Sequence, residues 1–212
     1  MMEVVIKALT PDLEEDYFDF FDNRAFSDGS PFYPCYCSAF NMSSEQIKID
    51  FFEKAELYGG GQENWKKALR ECAVRMVKSG LIKGYLAFIN GEAIGWCNAN
   101  DRTNYYRVGE FNLDNVPENE NNINCLKKGE IKSIVCFEIA PEYRGMGIAS
   151  KLLDRVCLDA KNDGYEFIEA YPTVREQHNN LAFTGPVHIY EKAGFTHFMV
   201  KETTIIMRKK LR

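Results

Sequence analysis

From Arg144 to Ala149 the chain reads Arg-Gly-Met-Gly-Ile-Ala, and the pattern that follows is helical, with Leu152, Leu153, Val156, Cys157 and Ala160 on one face. Glycines leading into a helix are a device for holding an anion. The first N–H groups of a helix have no carbonyl partners, and the helix dipole makes that end partly positive. Gly145 and Gly147 have no Cβ to keep a ligand off the main chain. A tight turn that needs glycine only for its dihedrals is the alternative. Two better-known phosphate loops are excluded: there is no GxxxxGK[ST], and no GxGxxG with an acidic residue about 20 positions further on. A second suggestive pair is Cys35-Tyr36-Cys37. Cys-x-Cys can ligate a metal, but no partner pair follows at zinc-finger spacing. Reduced cysteines packed in a short strand or turn, and no metal, are expected.

The elements that would position these residues can be read from periodicity. Ile134-Val135-Cys136-Phe137 and Ile139 have the β-branched content of a buried strand, and Pro141, which has no N–H to donate, stops it. Strand, glycine turn and helix then form one unit, closed at Asn162-Asp163-Gly164 with Gly164 as a left-handed cap. Residues 166–171 supply the next strand, parallel to the first through a right-handed crossover. Residues 85–97 form a hairpin turning at Asn90-Gly91, and Trp96, Tyr105 and Tyr106 are candidates for substrate contact or for packing.

Ahead of the hairpin come a strand (4–9), Thr10 as a cap before Pro11, and a helix (12–21) carrying Leu13, Tyr17, Phe20 and Phe21. A loop (23–34) and a helix capped by Ser43 or Ser44 and running to Leu57 follow. Gly59-Gly60-Gly61 then makes a joint before a helix over 65–78. Residues 111–128 are polar, acidic over 118–122, and read as a long surface loop or lid; a solvated insertion is the default, and the carboxylates would help attract a partner if that partner is cationic. After an irregular stretch (173–186) come a short helix to Ala193 capped by Gly194, a strand at 195–198 and a last strand at 203–207. Residues 208–212, rich in Lys and Arg, read as a solvated end.

Arg144-Gly145-Met146-Gly147-Ile148-Ala149, behind its strand and proline, resembles the R/Q-x-x-G-x-G/A signature of the GCN5-related N-acetyltransferase (GNAT) superfamily. Ile189-Tyr190-Glu191-Lys192-Ala193-Gly194-Phe195 resembles its second signature, a helix ending Tyr-x-x-x-Gly-Phe. The likeness covers residues 84–208; earlier residues are similar only in layout. It implies an α/β fold with a mixed, twisted sheet flanked by helices and splayed between residues 137–139 and 167–171. It also implies one acyl-CoA N-acyltransferase domain over 1–212, with the first strand and acceptor-side helices in 1–83 and the cofactor-binding core in 84–208.

Acetyl-CoA is the co-substrate that the resemblance implies. The main chain of Phe137, Glu138 and Ile139 would hold pantetheine, and N–H groups of Gly145, Met146, Gly147, Ile148, Ala149 and Ser150 the pyrophosphate, with Arg144 at the mouth. Tyr190 matches the tyrosine that approaches the thiol sulfur; a phenol with a pKa of about 10 can return a proton to a thiolate. One departure adjoins it: Phe183 and Pro186 stand where the family places Asn and Ala, with Asn179 or Asn180 as substitutes. Glu138 is the candidate general base beside the thioester; Glu110, Glu130, Glu169, His178 or a chain of waters are alternatives. No cysteine has a base in its sequence context, which favours direct transfer over an acyl-enzyme. The expected activity is acetyl transfer from acetyl-CoA to a primary amine of a small molecule or peptide. The alternative is a non-catalytic acyl-CoA-binding sensor. Cys-Tyr-Cys followed by an aromatic also resembles some bacterial acetyltransferases, which implies a feature near the acceptor site.

Composition bounds the remainder. The 212 residues, 45% apolar, suffice for one core. A net charge of −5 and a pI near 5.4 speak against a nucleic-acid partner. No apolar run nears the about 18 residues of a membrane span, and no signal-peptide pattern opens the sequence. Seven cysteines, an odd number irregularly spaced, suit a reducing cytoplasm better than a disulfide framework. A cytoplasmic protein, free or as a homodimer, is expected.

Overall fold

In a computed structural model, which describes residues 3–30, 33–108, 111–112, 127–172, 183–201 and 204–212, strand β1 (Val5–Ala8) leads through a 3-10 turn into helix α1 (Glu14–Asn23). Tyr17, Phe18, Phe20 and Phe21 bury the inner face of α1. Ser43 caps the next helix through a capping box with Gln46. That helix is one run in three registers: α2 (Ser44–Ile47), a π segment (Lys48–Glu53) and α3 (Lys54–Leu57). Gly59, Gly60 and Gly61 all take positive φ and turn the chain into α4 (Gln62–Lys78).

The hairpin is β2 (Gly84–Ile89) and β3 (Glu92–Asp101). Asn90 and Gly91 sit at its turn with φ of 52° and 86°, which suits a two-residue connection. β3 runs four residues past the expected Cys97, because its far end pairs with β6. At the start of the expected polar loop (111–128), Phe111–Asn112 (β5) pairs antiparallel with Arg107–Val108 (β4) just before it. The acidic residues 118–122 lie outside the described residues, as do Glu110, His178, Asn179 and Asn180.

β6 (Ile131–Ile139), α5 (Ile148–Asn162) and β7 (Phe167–Ala170) make the central unit, with β6 and β7 parallel. α6 (Val187–Lys192), β8 (Thr196–Lys201) and β9 (Thr204–Lys210) complete the chain. The main sheet has the order β1-β2-β3-β6-β7-β9-β8. All of its neighbours are antiparallel except β6 and β7. It is an open, mixed sheet, as expected. One face packs against α5 through Leu152, Leu153 and Val156, and the other against α1 and α4.

The last residues are a correction. Arg208, expected in a solvated end, reaches the buried Glu169 carboxylate through Nε (2.9 Å) and Nη2 (2.5 Å), and Lys209 Nζ donates to Ala193 O (2.6 Å). Strand β9 needs these residues to pair with the full length of β7. Trp96 belongs to packing: it is fully buried, edge-on to Tyr17 at 5.0 Å.

Candidate acetyl-transfer site

The site begins where two strands part. β6 and β7 pair from Ile131↔Phe167 to Ile134↔Ala170, yet β6 continues to Ile139. Val135 is an extra residue in the ladder with β3, since Asn98 faces Cys136 and Ala99 faces Ile134. A bulge of this kind reassigns the faces that follow. Phe137 packs with Ile134 on the α5 side, whereas Cys136 joins Val135 on the α1 side. Glu138, two residues beyond Cys136, projects to the α1 side. Sequence periodicity misses this because one inserted residue inverts every later assignment.

Beyond Ile139 the chain makes a 3-10 turn at Pro141–Tyr143 and reaches the glycines. Gly145 and Gly147 have φ of 76° and 78°, a left-handed conformation that costs a residue with a Cβ. The first helical bond of α5 runs from Lys151 N–H to Gly147 O (3.1 Å), leaving the N–H groups of Ile148, Ala149 and Ser150 without helical partners. No side chain caps this end, and the first turn carries no acidic residue. Residues 144–147 are exposed, and a Cβ at either glycine would meet no atom within 4 Å. The cradle is open and suited to an anion.

Arg144 turns away from the cradle. Its guanidinium donates to Ile139 O (Nε, 3.0 Å), Asp28 Oδ2 (Nη1, 2.5 Å) and Glu138 Oε1 (Nη2, 3.3 Å). Asp28 is held below the usual carboxylate range by that bond. The Glu138 side chain is only 12% exposed, and burial pushes its pKa up to about 7 against the opposing pull of Arg144.

Above Glu138 lies the Cys-Tyr-Cys loop. Tyr36 OH donates to Asp22 Oδ1 (2.5 Å), which Arg70 Nε also reaches at Oδ2 (2.9 Å), and Tyr17 OH donates to Tyr36 O (2.6 Å). These bonds pin the loop to α1 and α4. Cys37 is buried and its Sγ lies 3.4 Å from Cys136 Sγ; the six cysteines among the described residues are free thiols. Among the described residues no group of three or more His, Cys, Asp or Glu is arranged to hold a metal ion.

Tyr190 lies on the opposite face, in α6. It is fully buried, 6.3 Å from the Phe137 ring, and its hydroxyl donates to Thr184 O (2.5 Å). Burial holds its phenol protonated far above the ordinary range. Pro186 stands as the N-cap of this short helix, and Phe183 packs on Phe40 at 6.3 Å, so the two departures from the family pattern serve local packing. Two alternative bases are placed elsewhere. Glu169 is consumed by Arg208 and by Tyr171 OH (2.8 Å), and Glu130 lies before the opposite end of β6, accepting Lys127 N–H (3.0 Å). His188 and His197 are on the surface.

The profile of the Acetyltransferase (GNAT) family matches residues 49–195, and the chain belongs to that family. None of the curated proteins compared with it matches by sequence. Among solved structures it is similar to an acetyltransferase of the GNAT family from Streptococcus pneumoniae, with 15% identity, a TM-score of 0.53, and coverage of 99% of this chain and 100% of that one. It is also similar to the PaiA N-acetyltransferase from Thermoplasma acidophilum in complex with coenzyme A, with 18% identity, a TM-score of 0.52 and 99% of each chain covered. At these identities the likeness is one of fold.

Proposed function

We propose that this chain transfers the acetyl group of acetyl-CoA directly to a primary amine of a small molecule or peptide. The observation that carries this reading is one of position. An uncapped helix N-terminus with two left-handed glycines adjoins a strand that outruns its parallel neighbour, in a chain whose family is an acetyltransferase family. A similar fold has been solved with coenzyme A.

In this reading the N–H groups from Gly145 to Ser150 hold the pyrophosphate, and the main chain of Phe137, Glu138 and Ile139, beyond the pairing with β7, holds the pantetheine arm. Arg144 now occupies Ile139 O; it swings towards the phosphates as the arm enters, releasing Glu138 and Asp28. Glu138 then takes a proton from the ammonium, directly or through a water. The amine nitrogen forms its bond to the thioester carbon, the C–S bond breaks, the thiolate takes a proton from Tyr190, and the second proton shed by the nitrogen passes through water to restore the phenol. For that step the Tyr190 hydroxyl exchanges Thr184 O for the sulfur. Residues 1–83 supply the acceptor wall, with residues 84–208 as the cofactor core of one domain, in a cytoplasmic protein.

The enclosed Tyr190 hydroxyl favours a second reading, an acyl-CoA sensor without turnover. Thiol release from acetyl-CoA across a panel of amines decides between them, with Tyr190→Phe beside the wild type. We expect turnover that falls about 100-fold or more in the variant while CoA affinity stays the same. Binding without turnover on any amine supports the sensor. Equal turnover in the variant removes Tyr190 from the mechanism.

A further inference from the structure

Arg102 opens a 3-10 turn (Arg102–Asn104) at the end of β3. It is 4% exposed, and among the described residues its Nε and Nη2 have no hydrogen-bond partner. Its single side-chain bond is a long one, Nη1 to Tyr105 O at 3.5 Å. A guanidinium cannot shed its charge at any ordinary pH, so burial without a counter-ion is costly. Among the described residues, the nearby carboxylates Asp101 and Glu169 are already engaged. Asp101 Oδ1 accepts from Thr103 N (2.9 Å) and Oγ1 (2.6 Å), and its Oδ2 from Gly129 N (2.6 Å). Glu169 is bound by Arg208 and Tyr171.

The surroundings place this charge on the acceptor side of the sheet. Tyr105, whose carbonyl Arg102 reaches, donates its own hydroxyl to Asn98 Oδ1 (2.7 Å), and Asn98 Nδ2 donates to Cys37 O (3.1 Å). Cys37 touches Cys136, which shares a face with Glu138. The positive charge of Arg102 also acts on the Tyr171 phenol, whose oxygen lies 2.7 Å from Ser133 Oγ. Along β6 the two ends are separated: Asp101, next to Arg102, faces Lys132, whereas Trp96 faces Glu138. Six residues of strand span about 20 Å, less whatever the arginine side chain recovers. A second orphan hangs on the same turn: Asn41 Nδ2 donates to Asn104 O (2.9 Å) while its Oδ1 has no partner. The turn itself reaches solvent, since Thr103 is exposed.

We propose that Arg102 anchors a carboxylate at the far end of an extended amine acceptor whose reacting nitrogen lies at Glu138, which makes a short peptide with a free C-terminus the substrate class. This rests on the acetyl-transfer reading for the nitrogen end only. An arginine forks onto a carboxylate through two parallel N–H bonds, and Nε with Nη2 is such a pair, the two donors that the protein leaves open.

The test uses the full chain, acetyl-CoA, and alanine peptides of one to five residues, each as free acid and as C-terminal amide. Wild type, Arg102→Met and Arg102→Lys are compared by thiol release and by melting temperature. In the wild type the acid is preferred over the amide by about tenfold or more at one peptide length above a single residue. The preference disappears in Arg102→Met with CoA affinity unchanged, and survives in part in Arg102→Lys. Without ligand, Arg102→Met melts at or above the wild-type temperature, because an unpaired charge has been removed; an arginine with a purely structural partner would lower it. Equal use of acid and amide by the wild type, the same preference in Arg102→Met, or a lower melting temperature of that variant would each overturn the proposal. The acetyl-transfer reading fails separately, if acetyl-CoA itself shifts no melting temperature. In that case succinate, titrated alone, still reports on Arg102: stabilisation of the wild type and not of Arg102→Met supports it, and equal response overturns it.

Discussion

Glu138 is under two opposed influences, burial that favours its neutral form and Arg144 that favours the charged one, and burial is the larger. With a folded pKa of about 7 against 4.5 ordinarily, the side chain contributes stability that is fully present below pH 4.5. That contribution is lost as pH rises through 7. Glu138→Gln therefore unfolds at a higher denaturant concentration than the wild type at pH 8, by roughly 2–3 kcal/mol, and the difference vanishes at pH 4. For catalysis the sign is reversed, because a base must be ionised to act. If Glu138 is the base, as proposed, the wild-type kcat/KM is expected to rise with pH through an apparent pKa of about 7 in the free enzyme. Glu138→Gln lacks that limb and loses about 100-fold or more. Arg144→Met displaces the limb to higher pH, since the neighbour that lowers the pKa is gone; an unmoved limb would assign it to another group. Tyr190→Phe, besides its kinetic effect, removes a buried hydroxyl-to-carbonyl bond and lowers stability by about 1 kcal/mol.

At the scale of the element, β6 and its turn set the site, and their logic was only partly legible. The apolar run announces a strand, the proline its end, and the glycines an uncapped helix start. The bulge at Val135 leaves no mark in a run that is apolar on both sides, so the direction of Glu138 emerges only from the ladder with β3. Arg208 and Glu169 are likewise ordinary charged residues until β9 lies beside β7. The π segment at Lys48–Glu53 hides inside a pattern read as one helix, because a single wider turn shifts the helical period only slightly. Gly84 is a constraint of another kind: a Cβ there would lie 2.1 Å from Cys97 O and 2.5 Å from a Trp96 ring carbon. Backbone and a fully buried indole cannot both give way. Gly84→Ala destabilises by about 3 kcal/mol or more, read as a lowered denaturation midpoint. A variant with wild-type stability would mean that the hairpin is not packed as described. Gly147→Ala meets no neighbour, so its cost of about 1–2 kcal/mol comes from φ alone and is accompanied by weaker CoA binding.

On the scale of the whole molecule, a seven-stranded sheet separates two groups of side chains. The α5 side carries the cradle and Tyr190; the α1 side carries Glu138, the Cys-Tyr-Cys loop and Arg102. The proposed acyl transfer uses both, at the point where the pairing of β6 with β7 ends. The cradle side was readable because anion binding by a helix start needs particular residue types at particular spacing. The α1 side was not, because Tyr17, Tyr36 and Trp96 pack together across long sequence separations, and an orphaned arginine looks like any other until its partners are counted. No helix among the described residues is long and apolar enough to cross a membrane. The most direct test of the central claim is the melting temperature of the wild type titrated with acetyl-CoA, CoA and NADH. Ligands that bind the native state raise it by mass action. The cradle and splay predict a concentration-dependent rise with acetyl-CoA and CoA, none with NADH, and a diminished rise in Gly147→Ala; no rise with acetyl-CoA would contradict the account at its root.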